Sequence, residues 1–516
     1  MSHSIPRHKP LPGTATNAPS AAAPGHPDAS LTLSALGRGS LVVLLAQGLQ
    51  SFRGIILLPF ITRLLSTGDY GLWVQAGTLT ALLGPIATLH LESALLRYFA
   101  AEAKPREAAR ALTGVFFTVA AIAVATTGVA VIASNGIAAA FFTGQRAVAL
   151  LSLLSLLPEA LASMCLAYFR TFRQLGRFAC FSVARPYVEL MVVATLLCTG
   201  HHLWHLLLAI AVVRALLTIT MLTLVLHQTG LTTPDLSRLP RYLRFSLPLL
   251  PTNMLLWVTN ASDRFIIGHY LGPAAVGLYN PGYALGSIAA AISAPVMFVL
   301  PPFVYAHYDR GRPHLAMAYL STTLLLIAVA GLLAAAVLGG LSSPLLSLLS
   351  TDEIASSSLL VTPFVALGVT AQTCTVVVSI ALGCVKKTHL MACSAAAGAG
   401  LNLGLNIIFI PRYGIVAAAI TTLLAMLTDL SIRLHLARRE LDWLLPAGRI
   451  ARVAIAAAAL GVLLHASTPS APAELAGLVF AAPILYLLLL LALRVFSAAD
   501  IVPALRFMAG LLRGRG

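Results

Sequence analysis

Apolar stretches of about twenty residues, separated by short polar connections, follow one another along almost the whole of this 516-residue chain. A membrane-spanning helix needs about 20 such residues, because each adds about 1.5 Å to a path across a hydrocarbon core about 30 Å thick. The pattern predicts spanning helices over residues 39–64, 71–95, 111–133, 147–168, 181–199, 204–226, 245–268, 274–300, 315–338, 358–384, 388–410, 413–436, 450–465 and 473–494, the last two being the shortest. Composition removes the alternative of one large soluble core. Hydrophobic residues make up 59% of the chain and charged residues only 10%, where soluble domains carry about a quarter charged. The expected fold is an all-α polytopic membrane protein with about 14 transmembrane helices.

The formal net charge of +16 raises the question of nucleic acid, and the distribution of the basic residues answers it. Counting the predicted segments from the N-terminus, the connections after even-numbered ones hold Arg97, Lys104, Arg106 and Arg110, then Arg170, Arg173 and Arg177, and so on to Arg438 and Arg439. The opposite side holds only Arg63, Arg146 and Arg412. By the positive-inside rule both termini are cytoplasmic, which requires an even number of spans. The basicity is a topology signal, and no nucleic-acid partner is expected. Residues 1–36, rich in Pro, Ala, Ser and Gly, lack the apolar core of a signal peptide and are expected to form a disordered cytoplasmic tail. Residues 496–516 are expected to form a second.

No motif points to a metal, a cofactor or covalent chemistry. The six cysteines lie in or beside apolar segments without CxxC spacing. His201, His202 and His205 share a short connection without a carboxylate, a weak basis for a metal site. No GxxxxGK[ST] run and no Asp-x-Asp pair exist. A membrane-bound glycosyltransferase or polymerase, which needs catalytic carboxylates or a sizeable external loop, is disfavoured. The longest external connection, about 339–357, carries only Asp352 and Glu353.

Two stretches repeat at a shift of 206 residues. Leu64–Trp73 reads LLSTGDYGLW and Tyr270–Tyr279 reads YLGPAAVGLY, so Leu65, Gly71 and Leu72 match Leu271, Gly277 and Leu278. Each follows an odd-numbered segment and opens the next. The offset predicts two six-helix lobes in the same orientation, a parallel repeat of the kind that places a transport site between halves. The expected organisation is an N-terminal lobe over 37–228, a C-terminal lobe over 238–440, and two additional helices over 447–495.

At these residues the chain also resembles a known family. The run Pro59-Phe60-Ile61-Thr62-Arg63-Leu64-Leu65 through Asp69-Tyr70-Gly71 is similar to the end of the first helix in bacterial polysaccharide flippases. Ser262-Asp263-Arg264-Phe265-Ile266-Ile267-Gly268 through Val276-Gly277-Leu278-Tyr279 resembles their helix 7–8 signature, and Asn402 through Ile415 resembles their helix 11–12 corner. Where that family continues with Gly-Ala-Ala, this chain has Ala417-Ala418-Ala419. The resemblance, spanning roughly residues 38–495, is to the O-antigen and exopolysaccharide flippase branch of the multidrug/oligosaccharidyl-lipid/polysaccharide exporter superfamily. It implies two lobes around a central cavity and, as substrate, a polyprenyl-diphosphate-linked oligosaccharide moved from the cytoplasmic to the outer leaflet of the bacterial inner membrane. Polysaccharide polymerase and export machinery are the implied further partners.

Charges inside apolar segments are expensive, by about 2.5–3.5 kcal/mol at a helix centre on insertion scales, so each is a candidate for function. Arg53, Glu159, Arg185, Glu189 and Arg214 lie in the first half, and Asp263, Arg264, Asp429 and Arg433 in the second. Guanidinium forks bind phosphate oxygens bidentately without losing their proton. Arg53, Arg214 and Arg185 are therefore the candidates for a cationic wall that receives the lipid diphosphate. Arg185 and Glu189, and likewise Asp429 and Arg433, stand four apart and can neutralise each other on one helix face. Arg53 has no acid at helical spacing, so its partner must come from another helix or a ligand. Asp263, with Arg264 projecting about 100° away, is expected about one turn from the outer end of its helix. It serves either as a gating group across the lobes or as a helix-end ion pair. A cation or drug antiporter of the same superfamily is the competing reading. It would use Glu159 and Glu189 as cation ligands.

Overall fold

The computed structural model describes residues 46, 48–50, 52–99, 105–230, 232–467, 469 and 471–496. The expected tail over 1–36 and all but the first residue of that over 496–516 lie outside the described residues. Among the described residues all regular structure is helical. The first half comprises α1 (residues 52–64), α2 (Thr67–Thr88), α3 (Leu91–Tyr98), α4 (Pro105–Ile132), α5 (Ser134–Phe141), α6 (Arg146–Leu154), α7 (Leu156–Thr171), α8 (Leu175–Cys198) and α9 (Leu203–Thr229). The second half opens with α10 (Leu239–Ser246), α11 (Leu249–Leu271), α12 (Pro273–Gly286) and α13 (Ser293–Asp309), with a 3₁₀ turn over Ser287–Ile292. It continues with α14 (Pro313–Gly340), α15 (Ser342–Leu349), α16 (Asp352–Ser358), α17 (Val361–Cys384) and α18 (Thr388–Glu440). The last two helices are α19 (Ala447–Ala466) and α20 (Pro472–Ala492).

Within the described residues the apolar segments of the sequence fall on helix, but several are not straight rods. Among the described residues nine helical stretches, α6 and α7 taken together as one, are long and apolar enough to cross a membrane, ten when the bent pair α2–α3 counts as one span. The segment 71–95 bends by 50° between α2 and α3, where two non-glycine residues in succession, Leu89 (φ 48°) and His90 (φ 55°), take the left-handed conformation. Segments 388–410 and 413–436 meet inside α18, broken at Gly414 (φ 71°, ψ −156°) three residues after Pro411. Only glycine adopts that backbone without a Cβ clash. The connection over 339–357, expected as a loop, holds α15 and α16.

Packing is set by small residues where helices cross. Built on α2, a Cβ at Gly71 would stand 1.8 Å from the Pro273 carbonyl oxygen, and one at Gly277 of α12 would stand 2.0 Å from that of Thr67. The two repeat-related glycines thus face each other, letting the two backbones approach to contact. Around this seam the Asn280 amide donates to the Tyr70 hydroxyl at 2.7 Å. Nearby, Thr62 and Arg63 of α1 donate to the carbonyls of Leu349 and Leu348 at 3.2 and 2.9 Å. The N-terminal ends of α2 and α12 are held in contact. Beyond the seam, one apolar core gathers α3, α4, α7 and α9 around Leu95, Val119, Met164 and Met221. Another gathers α13, α14 and α17 around Val304, Leu320 and Val377, while α19 and α20 pack on α14 through Leu460 and Tyr486.

Candidate functional site

Five charged residues from four helices converge in the first half. Arg53 comes from α1, Glu159 from α7, Arg185 and Glu189 from one face of α8, and Arg214 from α9. Glu189 is the hub. Arg214 grips it bidentately, Nε to Oε1 at 3.0 Å and Nη2 to Oε2 at 3.1 Å. Arg185 Nε reaches Oε1 at 3.4 Å, and Arg53 Nη1 stands 4.0 Å from Oε2. Glu159 receives Arg185 in a close hydrogen bond and lies 3.6 Å from Arg214 Nη1. Arg185 therefore makes the expected i, i+4 pair and a second, tighter one with α7. Three guanidiniums share two carboxylates, leaving one positive charge in excess. The side chain of Glu189 is only 8% exposed and that of Arg53 is 42% exposed. Arg53 is accordingly the cation least committed to protein and most open to a ligand.

The cluster lines a cavity of about 590 Å³ on the side away from the seam. Gln50, Thr80, Thr88, Ser163 and Ser182 add neutral polar groups to its wall. A smaller recess of about 130 Å³ shares Arg53, Glu189 and Arg214 with it and reaches Trp73 and Leu207. Gly77 and Gly84 of α2 face this space, and a Cβ on either would meet nothing within 4 Å. Open volume beside charged groups is the arrangement that admits irregular or charged structure at membrane depth.

The second-half candidates do not join this cluster. Asp263 is 1% exposed and lies eight residues before the α11 terminus at Leu271, about two turns rather than one. Arg264 does not project away. It folds back so that Nη1 meets Asp263 Oδ1 at 3.0 Å and the Asn260 carbonyl at 2.8 Å, and its guanidinium lies 4.0 Å over the Tyr283 ring. Tyr279 of α12 donates to Asp263 Oδ2 at 2.5 Å. Asp263 is thus neither a helix-end pair nor paired with α1. It anchors α11 to α12, and Asn280, which Arg264 Nε approaches at 3.4 Å, carries the link on to Tyr70. Arg433 grips Asp429 bidentately at 2.8 and 3.0 Å and donates to Ser379 at 2.7 Å, a self-contained pair as its spacing implies. Of the three histidines, His205 stacks against Trp204, and no cluster of metal-ligating side chains occurs among the described residues.

Sequence reasoning passes over two polar features. One is a fully buried network on either side of the α18 break, in which Asn402 donates to Thr422 at 3.2 Å, Asn406 to Asn402 at 3.0 Å, and Thr421 to Asn406. Neutral amides carry no charge signal, although two asparagines four apart in an apolar run are legible as one helix face. The other is Glu92, which lines the cavity. An acid inside the apolar segment 71–95 was a usable signal.

The profile of the polysaccharide biosynthesis protein family matches residues 60–358, a range that includes the seam, the Asp263 cluster and the cavity lining other than Gln50 and Arg53. The chain belongs to this family. No curated protein sequence matches it. Among solved structures, the lipid II flippase MurJ in an inward closed conformation superposes with a TM-score of 0.69 at 13% identity, covering 87% of this chain and 97% of MurJ. An inward-facing multidrug resistance MATE family transporter of the MOP superfamily superposes with 0.61 at 11%, covering 78% and 95%. A MOP superfamily transporter from Pyrococcus furiosus, described as having a binding pocket of reversed polarity, gives 0.55 at 11%, covering 81% and 96%. At these identities the likeness is one of fold, and the fold is that of polytopic membrane transporters.

Proposed function

We propose that this protein flips a polyprenyl-diphosphate-linked oligosaccharide from the cytoplasmic to the outer leaflet of a bacterial inner membrane, by alternating access of a central cavity. The observation that carries the reading is the cavity wall itself, where three arginines share two glutamates and the surplus guanidinium, Arg53, is the most exposed. A diphosphate diester carries two negative charges and offers oxygens that match guanidinium forks. The basic asymmetry of the connections supports cytoplasmic termini. In that orientation the cavity opens inward and the glycine seam closes the outer side, the state in which a cytoplasmic substrate loads. Two lobes, helices over 37–228 and 238–440, would rock about the seam to reverse access.

Carrying two negative charges outward against an inside-negative potential is favourable by about 4.6 kcal/mol per 100 mV, so membrane potential is a sufficient drive. A cation antiporter would need acidic groups free to take cations. Glu159 and Glu189 are both held by guanidiniums, which counts against that reading.

The test is transport of a fluorescent prenyl-diphospho-oligosaccharide in proteoliposomes, wild type against Arg53→Ala. Transport by the wild type and its loss in a correctly inserted variant support the reading. Equal rates in both move the anion site away from Arg53, and no transport by the wild type with several glycans overturns the substrate class.

A further inference from the structure

The break between α2 and α3 holds a second titratable group on the cavity that the five-residue cluster does not use. Leu89 and His90 both take left-handed backbone, a conformation that non-glycine residues hold only where surrounding structure imposes it. The consequence is that His90 turns back toward Glu92, its Nδ1 3.1 Å from Oε1 of the carboxylate, while the Thr88 hydroxyl accepts the His90 amide at 3.3 Å. Glu92 Oε2 and His90 Nε2 are shut off from solvent without a hydrogen-bond partner. An imidazole and a carboxylate in contact at a cavity wall, with a capacity for protons that the fold leaves unused, form a site for a proton.

We propose that His90 and Glu92 bind one proton as a pair, and that loading it raises the positive charge of the cavity for an anionic substrate. The charge count gives the direction. Arg53, Arg185 and Arg214 face Glu159, Glu189 and Glu92 across one cavity, so the wall is neutral with a neutral His90 and carries +1 once the pair takes a proton. Among the described residues, α3 itself carries Arg97 in its last turn and α7 carries Arg170 in its last turn. α7 brings Glu159, already held by Arg185 and Arg214, and Tyr168, bonded to Gln228. On the other side of α3, α10 brings Tyr242 onto Tyr98 and Phe99, and Arg241, which lies over the Tyr98 ring. On α4, Glu107 is tied to Arg238. α8, α9 and α1 bring Arg185, Glu189, Arg214 and Arg53 to the cavity wall, while Asp263 is paired with Arg264.

By linkage, an anion that binds the loaded cavity better must draw a proton in. The proton moves from water to the imidazole–carboxylate pair, and no bond other than that to hydrogen changes. The linkage rests on the flippase reading, whereas the proton site does not.

Two measurements on the full chain in nanodiscs separate them. The first is infrared difference titration of the imidazole ring bands in wild type and His90→Gln. A titrating ring band that is missing from the variant supports the site, and no difference between the two overturns it. The second is calorimetry, in buffers of different ionisation enthalpy, of a short prenyl-diphospho-sugar whose phosphate charges do not titrate. Uptake approaching one proton per ligand is expected in the wild type, with affinity rising by up to about tenfold per pH unit of acidification. Glu92→Gln, which keeps the loaded charge permanently, should bind equally well at high and low pH, and His90→Gln should take up no proton. Binding without proton uptake by the wild type overturns the linkage while leaving the flippase reading. No binding, with a titrating imidazole band, keeps the proton site and overturns the diphosphate as its partner.

Discussion

Replacing Glu189 with Gln should push stability and anion affinity in opposite directions. The carboxylate is 8% exposed and receives Arg214 at 3.0 and 3.1 Å and Arg185 at 3.4 Å, with Arg53 at 4.0 Å. Gln keeps the shape and one acceptor oxygen but removes the charge that all three guanidiniums face. Breaking a buried pair by neutralising one member costs about 3–5 kcal/mol. The lower end applies because the cavity admits water and Arg53 is 42% exposed. The local charge of the five-residue cluster rises from +1 to +2 at the same time. A diphosphate diester should therefore bind the variant more tightly than the wild type. A ligand at a hundred times its dissociation constant adds about 2.7 kcal/mol to the folded state, comparable to the loss. The assay is thermal unfolding in detergent with and without a short prenyl-diphospho-sugar. The variant should unfold at lower temperature alone and be stabilised by ligand by a larger increment than the wild type. A variant as stable as the wild type would show that the cluster is too solvated to matter. A destabilised variant that gains nothing from the anion would place the diphosphate elsewhere.

Three further outcomes follow from the packing. Gly71→Ala or Gly277→Ala puts a methyl within 1.8–2.0 Å of a carbonyl oxygen, against a normal contact of about 3.5 Å. α2 and α12 must then part, and a cysteine at Asn280, in a background without the six native ones, should become reactive toward an impermeant maleimide. Asp263→Asn leaves the Arg264 guanidinium buried without a counter-charge, which should lower stability by about 3–5 kcal/mol in chemical or thermal denaturation. Asn406→Ala strips the donor from Asn402 and an acceptor from Thr421 and should cost about 1–3 kcal/mol without moving the cavity charge, leaving anion binding unchanged.

The class of fold was legible because hydropathy along the chain is a statement about solvent, and the apolar stretches are helical among the described residues for the reason that backbone groups in lipid must be satisfied internally. Spacing along one helix was equally readable. Arg185 with Glu189 and Asp429 with Arg433 pair as four-residue separations require. What spacing does not carry is the rotation of one helix against its neighbour. Glu159 and Arg214 are 55 residues apart, and only the packing of α7 and α9 brings them to 3.6 Å. Arg264 shows a further limit. The 100° step between adjacent residues fixes where its Cβ leaves the helix, yet a long, flexible side chain bends back to the Asp263 carboxylate and the Tyr283 face. The repeat at Gly71 and Gly277 was visible as a pattern, but its meaning as a close approach needed both backbones in place.

α2 connects the two ends of the proposed cycle. Its N-terminus, capped by Ser66 through the Asp69 amide, carries Tyr70 and Gly71 into the sealed seam. Gly77, Thr80 and Gly84 form part of the cavity wall, and its C-terminus ends at the left-handed break beside His90 and Glu92. Opening the seam requires this helix to move against α12, because the two glycine contacts leave no slack. Moving α2 necessarily changes the wall opposite Arg53 and strains or relaxes the break. A 22-residue helix is stiff over its length of about 33 Å. Charge bound at the break and closure at the seam are therefore two readings of one rigid element, which is the physical requirement for a ligand at one end to bias the other.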